Sequence, residues 1–206
     1  MGRSCGVFDN GLFVMEKVIN DTSGEVFLIR NFLHENESEH YFSGLMKALS
    51  FEQKDIVMFG KRIEIPRLES FHAVDGKSYG YSGKRLETRP FNPILSSLKG
   101  KIEGQISVHF NSVLVNLYRN ENDSNGWHAD DEKELGKNPV IASISIGAKR
   151  RFQLKHKLEP LKHNLELNNG DLLIMGGTLQ SNWKHQVPKE KYFCGPRLNL
   201  TFRFIY

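Results

Sequence analysis

Cysteine is almost missing from this chain: Cys5 and Cys194 are the two in 206 residues, one of them near a terminus. A disulfide framework is therefore excluded as the source of stability, and a reducing compartment is implied. No run of eighteen apolar residues occurs, so no membrane-spanning helix is expected, and the first thirty residues lack a signal-peptide pattern. Internal repeats and low-complexity tracts are also missing. What remains is 39% hydrophobic and 25% charged residues with a net charge of +4, the make-up of an ordinary globular domain that tolerates a polyanionic partner without demanding one. We expect a single domain over 1–206, intracellular, monomeric and without membrane contact. The compartment would be cytoplasmic in a prokaryote and nuclear in a eukaryote.

The chemistry concentrates in two stretches. In Asn116–Asp130, His128 and Asp130 stand two apart, so on an extended strand both side chains leave from one face. With His185 they would make two imidazoles and a carboxylate on one face of an octahedron. That leaves positions open for a cosubstrate and O₂, a set suited to Fe(II). A His-x-Asp pair alone is weak evidence, because surface loops often contain one. The second stretch is Pro196–Tyr206. There Leu198, Leu200, Phe202 and Phe204 alternate strictly with Arg197, Asn199, Thr201 and Arg203. Its polar row could simply face water. Two arginines flanking an amide and a hydroxyl instead suit a dicarboxylate, held by forked, charge-assisted hydrogen bonds. Asn116 and Tyr118 share one face of an expected strand, 113–118, and would add to that row.

Asn116-x-Tyr118, His128-x-Asp130, His185 and Arg197-x-Asn199-x-x-x-Arg203 together resemble the AlkB family of Fe(II)/2-oxoglutarate dioxygenases, over about residues 50–206. Within it, the chain is most similar to the homologues that repair alkylated double-stranded DNA. That likeness rests on Met58-Phe59-Gly60-Lys61, Tyr79-Gly80-Tyr81-Ser82-Gly83 and Asp130-Asp131-Glu132. The resemblance implies a mainly β fold with flanking helices (α+β): a double-stranded β-helix, or jelly roll, with an N-terminal nucleotide-recognition lid. It implies Fe(II) on His128, Asp130 and His185, with O₂ and 2-oxoglutarate as cosubstrates. Arg197, helped by Tyr118 and Asn199, would take the distal carboxylate of 2-oxoglutarate. Arg203 and Asn116 would address its metal-chelating end.

The substrate it implies is alkylated DNA, duplex by preference, carrying 1-methyladenine or 3-methylcytosine. Demethylation would release formaldehyde, succinate and CO₂. Phe59, with Met58 and Gly60 shaping a hairpin tip, would fill the gap left by a flipped nucleotide. Tyr81 would stack on the damaged base and Tyr79 line its pocket, and Glu132 would accept a hydrogen bond from an exocyclic amino group. Two alternatives stand beside this: demethylation of RNA or single-stranded nucleic acid, and a damage-binding module without turnover.

Along the chain, residues 1–24 read as a loosely held arm, about 25–110 as lid and supporting helices, and about 111–206 as the jelly-roll core. Helices are expected near 37–49, from Tyr41, Phe42, Leu45 and Leu49, and from the Asn92-Pro93 start to about Gly104. Strands are expected at 26–29, 140–146, 151–156, 165–167, 172–175 and 183–187. His156 and His163 read as ordinary surface histidines. Lys149-Arg150-Arg151 and Lys184, Lys189 and Lys191 read as cations near the barrel mouth, with Glu190 interrupting the last run.

Overall fold

The computed structural model describes residues 14–58, 61–74, 80–81, 84–85 and 88–206. In chain order it begins with β1 (Met15–Asp21), β2 (Gly24–Ile29), α1 (Glu35–Ala48), β3 (Glu52–Met58) and β4 (Lys61–Ala73). A two-residue pair follows, β5 (Gly80–Tyr81) and β6 (Lys84–Arg85), then α2 (Pro93–Ile106), β7 (Ser112–Tyr118) and β8 (Asn125–His128). The last third holds β9 (Ile141–Gly147), β10 (Arg150–His156), β11 (Lys162–Leu167), β12 (Leu172–Gly176), the short α3 (Leu179–Asn182), β13 (Trp183–Val187) and β14 (Arg197–Arg203).

Two antiparallel sheets face each other. The larger has eight strands in the order β1-β2-β12-β9-β14-β7-β4-β3, and the smaller has four in the order β11-β10-β13-β8. Period-two alternation sorts the side chains. Leu198, Leu200 and Phe202 point to the outer side of the large sheet, into a core shared with Leu45, Leu95, Leu98 and Ile102 of the two long helices. Between the sheets lies a second core, containing Tyr118, Phe152, Leu154, Leu173, Met175 and Trp183. The helices thus brace one face of the sheet and leave the other for the site.

Both helices start where local chemistry dictates. Asn92 accepts from the Leu95 amide at 2.8 Å with Pro93 in the first turn, and Ser107, at φ 53°, ends α2 in the left-handed region. At α1 the Glu37 carboxylate accepts from the His34 amide at 3.1 Å. Among the described residues, no helix is long and apolar enough to cross a membrane.

Three expectations change. Residues 14–24 are not a loose arm: β1 pairs with β2 from Met15↔Ile29 to Asp21↔Gly24. As an edge strand that buries chiefly Ile19, it carries almost no periodic signal. Phe204 does not continue the apolar row, because β14 stops at Arg203 and the ring is 39% exposed, edge-on to Tyr206. Arg150 is no mouth cation but 1% exposed. Its Nη1 donates to Asn120 O at 3.2 Å and its Nη2 to Asp123 O and Pro188 O at 2.6 and 2.8 Å. A buried guanidinium needs such acceptors, and nothing in a Lys-Arg-Arg run distinguishes the one that has them.

Candidate active site

Strand register assembles the site. On the large sheet Arg197 lies opposite Tyr118 and Asn199 opposite Asn116. Across the other edge of β14, Asn199 lies opposite Ser145 and Thr201 opposite Ser143. Because side chains alternate, these residues form one polar row on the face turned toward the small sheet. On that sheet His185 of β13 pairs directly with His128 of β8. The imidazole rings stand 4.3 Å apart between centroids, and Phe152 stacks on His185 at 5.4 Å.

His128, Asp130 and His185 each offer one donor atom, and these atoms lie within 4.8 Å of one another. The Nδ1 of His128 is 2.7 Å from Gly126 O; a carbonyl only accepts, so Nδ1 carries the proton and Nε2, 3.2 Å from Asn125 Nδ2, keeps the lone pair that a metal would take. Asp130 is fixed from two sides: Gln180 Oε1 accepts from its backbone amide at 2.9 Å, and Arg203 Nη2 donates to Oδ2 at 2.9 Å. Among the described residues, Asp130 Oδ1 is buried with no hydrogen-bond partner. A buried anionic oxygen without a partner, beside two neutral imidazoles, is what a divalent cation would complete. The residues fit Fe(II).

Charge follows burial. Burial depresses the affinity of His185 for protons to a pKa of about 3, and the neighbouring His128 adds to this. Burial also lowers that of His128. Burial alone would raise Asp130, but Arg203, then His185 and His128, hold it at about 2. Neutral imidazoles beside a carboxylate are the ligand forms a metal requires.

Leu114, Phe152, Met175 and Val187 give the pocket its apolar wall, while Asn116, Tyr118, Asn125, Asn199, Thr201 and Arg203 join the triad in its lining. Arg197 is fully buried. Its Nη2 donates to Ser145 Oγ at 2.8 Å and Asn199 Oδ1 at 2.7 Å, while Nε and Nη1 find no acceptor among the described residues. Burial draws its pKa down to about 10, which leaves it cationic at neutral pH. The Tyr118 ring lies 5.2 Å from both guanidinium carbons, Arg197 and Arg150. Asn116 accepts from Arg67 Nε at 2.9 Å, and Arg67 also pairs with Glu69 at 2.7 Å.

The expected substrate residues are less gathered. Met58 ends β3 opposite Lys61, and Tyr81 sits in β5 opposite Lys84. Phe59, Gly60 and Tyr79 lie outside the described residues. Glu132, half-buried, directly precedes a 3₁₀ turn at Lys133–Leu135 and is not in the pocket wall. His156 and His163 are half-buried against Trp183, with ring centroids 5.1 and 5.5 Å away. Sequence reasoning missed Ser143, Ser145, Gln180 and the Arg67–Glu69 pair. The two serines were detectable, since Ser143 and Ser145 alternate with Ile144 and Ile146 as strand residues facing a polar interior do. Gln180 and Arg67 carry no such mark.

Two opposed antiparallel sheets with two histidines, an aspartate and paired arginines between them define a non-haem iron oxygenase of the jelly-roll class. Residues 25–203 match the 2OG-Fe(II) oxygenase superfamily. Over 191 residues the chain is 38% identical to the alpha-ketoglutarate-dependent dioxygenase alkB homolog 3 of Bos taurus and of Homo sapiens, covering 88% of this chain and 66% of each relative. It is 35% identical to the DNA oxidative demethylase ALKBH2 of Homo sapiens, over 80% of this chain and 64% of that one. The chain thus spans just under two thirds of the length of these relatives. In fold it is similar to the solved structure of OsALKBH1, with a TM-score of 0.65 at 17% identity, covering 92% of this chain and all of that one. The chain belongs to the AlkB family of the 2OG-Fe(II) oxygenase superfamily, which implies Fe(II) as cofactor and 2-oxoglutarate and O₂ as cosubstrates.

Proposed function

We propose that this protein demethylates N-methylated bases in nucleic acid, with 1-methyladenine and 3-methylcytosine in DNA as the lesions. The observation that carries this is the Arg203–Asp130 contact, which joins the triad to the polar row of β14 in one pocket. His128, Asp130 and His185 would hold Fe(II). Bound there with 2-oxoglutarate, it would supply the oxidant that hydroxylates the methyl group, with succinate, CO₂ and formaldehyde as products.

The chain's own residues have four tasks. Arg197 offers Nε and Nη1, which have no acceptor among the described residues, to the distal carboxylate of 2-oxoglutarate, with Ser145 and Asn199 holding its other arm. Tyr118 stands beside that subsite. Arg203 and Asn116 address the chelating end, Arg203 while also steadying Asp130. Phe152 stacked on His185, with Leu114, Met175 and Val187, keeps stray water and reductant from the centre. Glu132 would bias the site toward bases with an exocyclic amino group.

Duplex DNA is the substrate that a Met58–Phe59–Gly60 finger would favour, with Tyr79 and Tyr81 around the flipped base. Single-stranded nucleic acid is the second reading, and the exposed Tyr192–Phe193 pair favours it. The test is formaldehyde release from methylated oligonucleotides, single- and double-stranded, with and without Fe(II) and 2-oxoglutarate. Release that needs neither overturns the chemistry. Phe59→Ala should depress duplex activity far more than single-strand activity, and equal loss favours the second reading.

A further inference from the structure

The loop from Pro188 to Pro196 joins the strand of His185 to the strand of Arg197. It leaves directly from the pocket wall, because Val187 lines the site and pairs with Asn125, another lining residue. Its first half is tied down. Arg150 and Arg151 donate to the Pro188 and Lys189 carbonyls at 2.8 and 2.7 Å, and the Glu190 amide donates to Glu121 O at 2.9 Å.

In sequence Glu190 breaks a basic run. In the fold its carboxylate accepts from the Arg151 amide at 2.9 Å and from Arg151 Nε at 2.8 Å, with Arg150 Nε 3.7 Å away. Turned inward and neutralised, it leaves Lys189 and Lys191 as the loop's outward charges, both exposed. Next to them, Tyr192 and Phe193 are 84% and 86% exposed, two neighbouring aromatic side chains that the fold itself does not use. Large aromatic rings ordinarily supply core or interface area, and an exposed pair beside two cations is the composition that meets bases and phosphates together.

We propose that this loop is a platform for single-stranded nucleic acid, with unpaired bases stacking on Tyr192 and Phe193 and phosphates meeting Lys189 and Lys191. The proposal rests on the reading of the site as a nucleic-acid demethylase and adds where the strand runs beside it. Stacking tolerates any sequence, because every base has a π-face. It needs bases that are not already stacked in a duplex, so the aromatics confer a single-strand preference. The anchored root holds the platform at the pocket wall, which would pre-order a nucleotide for entry.

The test uses the full chain and a labelled, unmodified short oligonucleotide, single-stranded or annealed, followed by fluorescence anisotropy. Tyr192→Ser/Phe193→Ser should weaken single-strand binding by about tenfold or more and duplex binding by less than about twofold. Tyr192→Trp/Phe193→Trp should restore it. Lys189→Gln/Lys191→Gln should flatten the salt dependence of single-strand binding, by about 0.7 in log–log slope for each phosphate left without its lysine. Thermal melts check that each variant is folded, as expected for exposed positions. Unchanged binding by the serine variant, or equal loss on both substrates, overturns the platform. If the wild type still demethylates oligonucleotides in that case, the proposed function survives; a wild type that neither binds nor demethylates them overturns both.

Discussion

Arg203 donates through Nη2 to Asp130 Oδ2 at 2.9 Å, with both side chains almost wholly buried. The C-terminal strand of the large sheet is thereby fastened to a residue two positions beyond the end of β8 on the small sheet. Removing one member of a buried ion pair strands the other, at about 3–5 kcal/mol. Arg203→Met should lower the urea midpoint of the metal-free protein accordingly and raise the KM for 2-oxoglutarate. Arg203→Lys, which keeps charge but loses the fork, should fall between. A methionine variant as stable as wild type would remove this pair from the fold's support.

At the other end of β14, Arg197 is cradled rather than paired. Charge-assisted hydrogen bonds contribute about 1.5–3 kcal/mol each, or about 10- to 150-fold. Arg197→Met should therefore raise the KM for 2-oxoglutarate at least tenfold with a smaller change in kcat. Ser145→Ala removes one bond that orients the Arg197 guanidinium without touching the cosubstrate, and should raise KM by less, about fivefold. Equal effects on KM and kcat would mean that Arg197 acts on the chemical step rather than on binding. The clean readout is steady-state kinetics with varied 2-oxoglutarate at saturating substrate.

A pH dependence follows from His72. It is 4% exposed, with Nδ1 2.8 Å from Pro90 O and Nε2 3.0 Å from Ser70 Oγ. Burial, with nearby Arg89, lowers its pKa below the usual 6.5, against the pull of the Pro90 carbonyl. The folded state therefore takes up a proton less readily than the unfolded chain. Its contribution is complete above pH 6.5 and is lost as pH falls below that value. Urea midpoints from about pH 7.5 to 5 should decline, and His72→Gln should flatten that decline. A parallel decline in the variant would assign the effect to other groups.

The sequence made the site more legible than its supports. The alternation around Arg197–Arg203 and the His128-x-Asp130 pair survive into the fold because chemistry there demands particular side chains at a two-residue period. Helix α2 was equally readable, since Asn92-Pro93 is a local signal. Arg150, Gln180 and Arg67 were not. Each takes its role from a partner between 27 and 50 positions away, namely Asp123 O, the Asp130 amide and Asn116 Oδ1. Local pattern carries no information about such partners. β1 was missed for the opposite reason, since an edge strand that buries little has no periodicity to read.

Glycines give a stability contrast. Gly170 has φ +82°, and a Cβ there would lie 2.0 Å from Leu33 O, whose own residue donates its amide to Gly170 O at 3.1 Å. Two backbone segments approach too closely for any side chain. Gly170→Ala should destabilise by more than about 1 kcal/mol. Gly100 lies inside α2, where a Cβ would meet none of the described residues within 4 Å, and should gain about 0.5–1 kcal/mol on replacement by Ala. Guanidinium unfolding of the two variants should therefore shift in opposite directions.

Metal removal gives the most direct reading of the triad. An ion bound by the folded state alone stabilises it by about 2.7 kcal/mol at one hundred times its dissociation constant. For a chain of this size each kcal/mol moves the midpoint by about 2–4 °C, so the melt should rise by about 5–10 °C with Fe(II) or a redox-inert divalent surrogate. A chelator should reverse the rise. Asp130→Ala should abolish it, because the variant loses the one carboxylate among the three donors. His156→Ala should keep it, since that imidazole packs on Trp183 and accepts from the Glu159 amide at 2.9 Å, apart from the triad. A metal shift that persists in Asp130→Ala and vanishes in His156→Ala would move the metal away from the pocket, and the proposed chemistry with it.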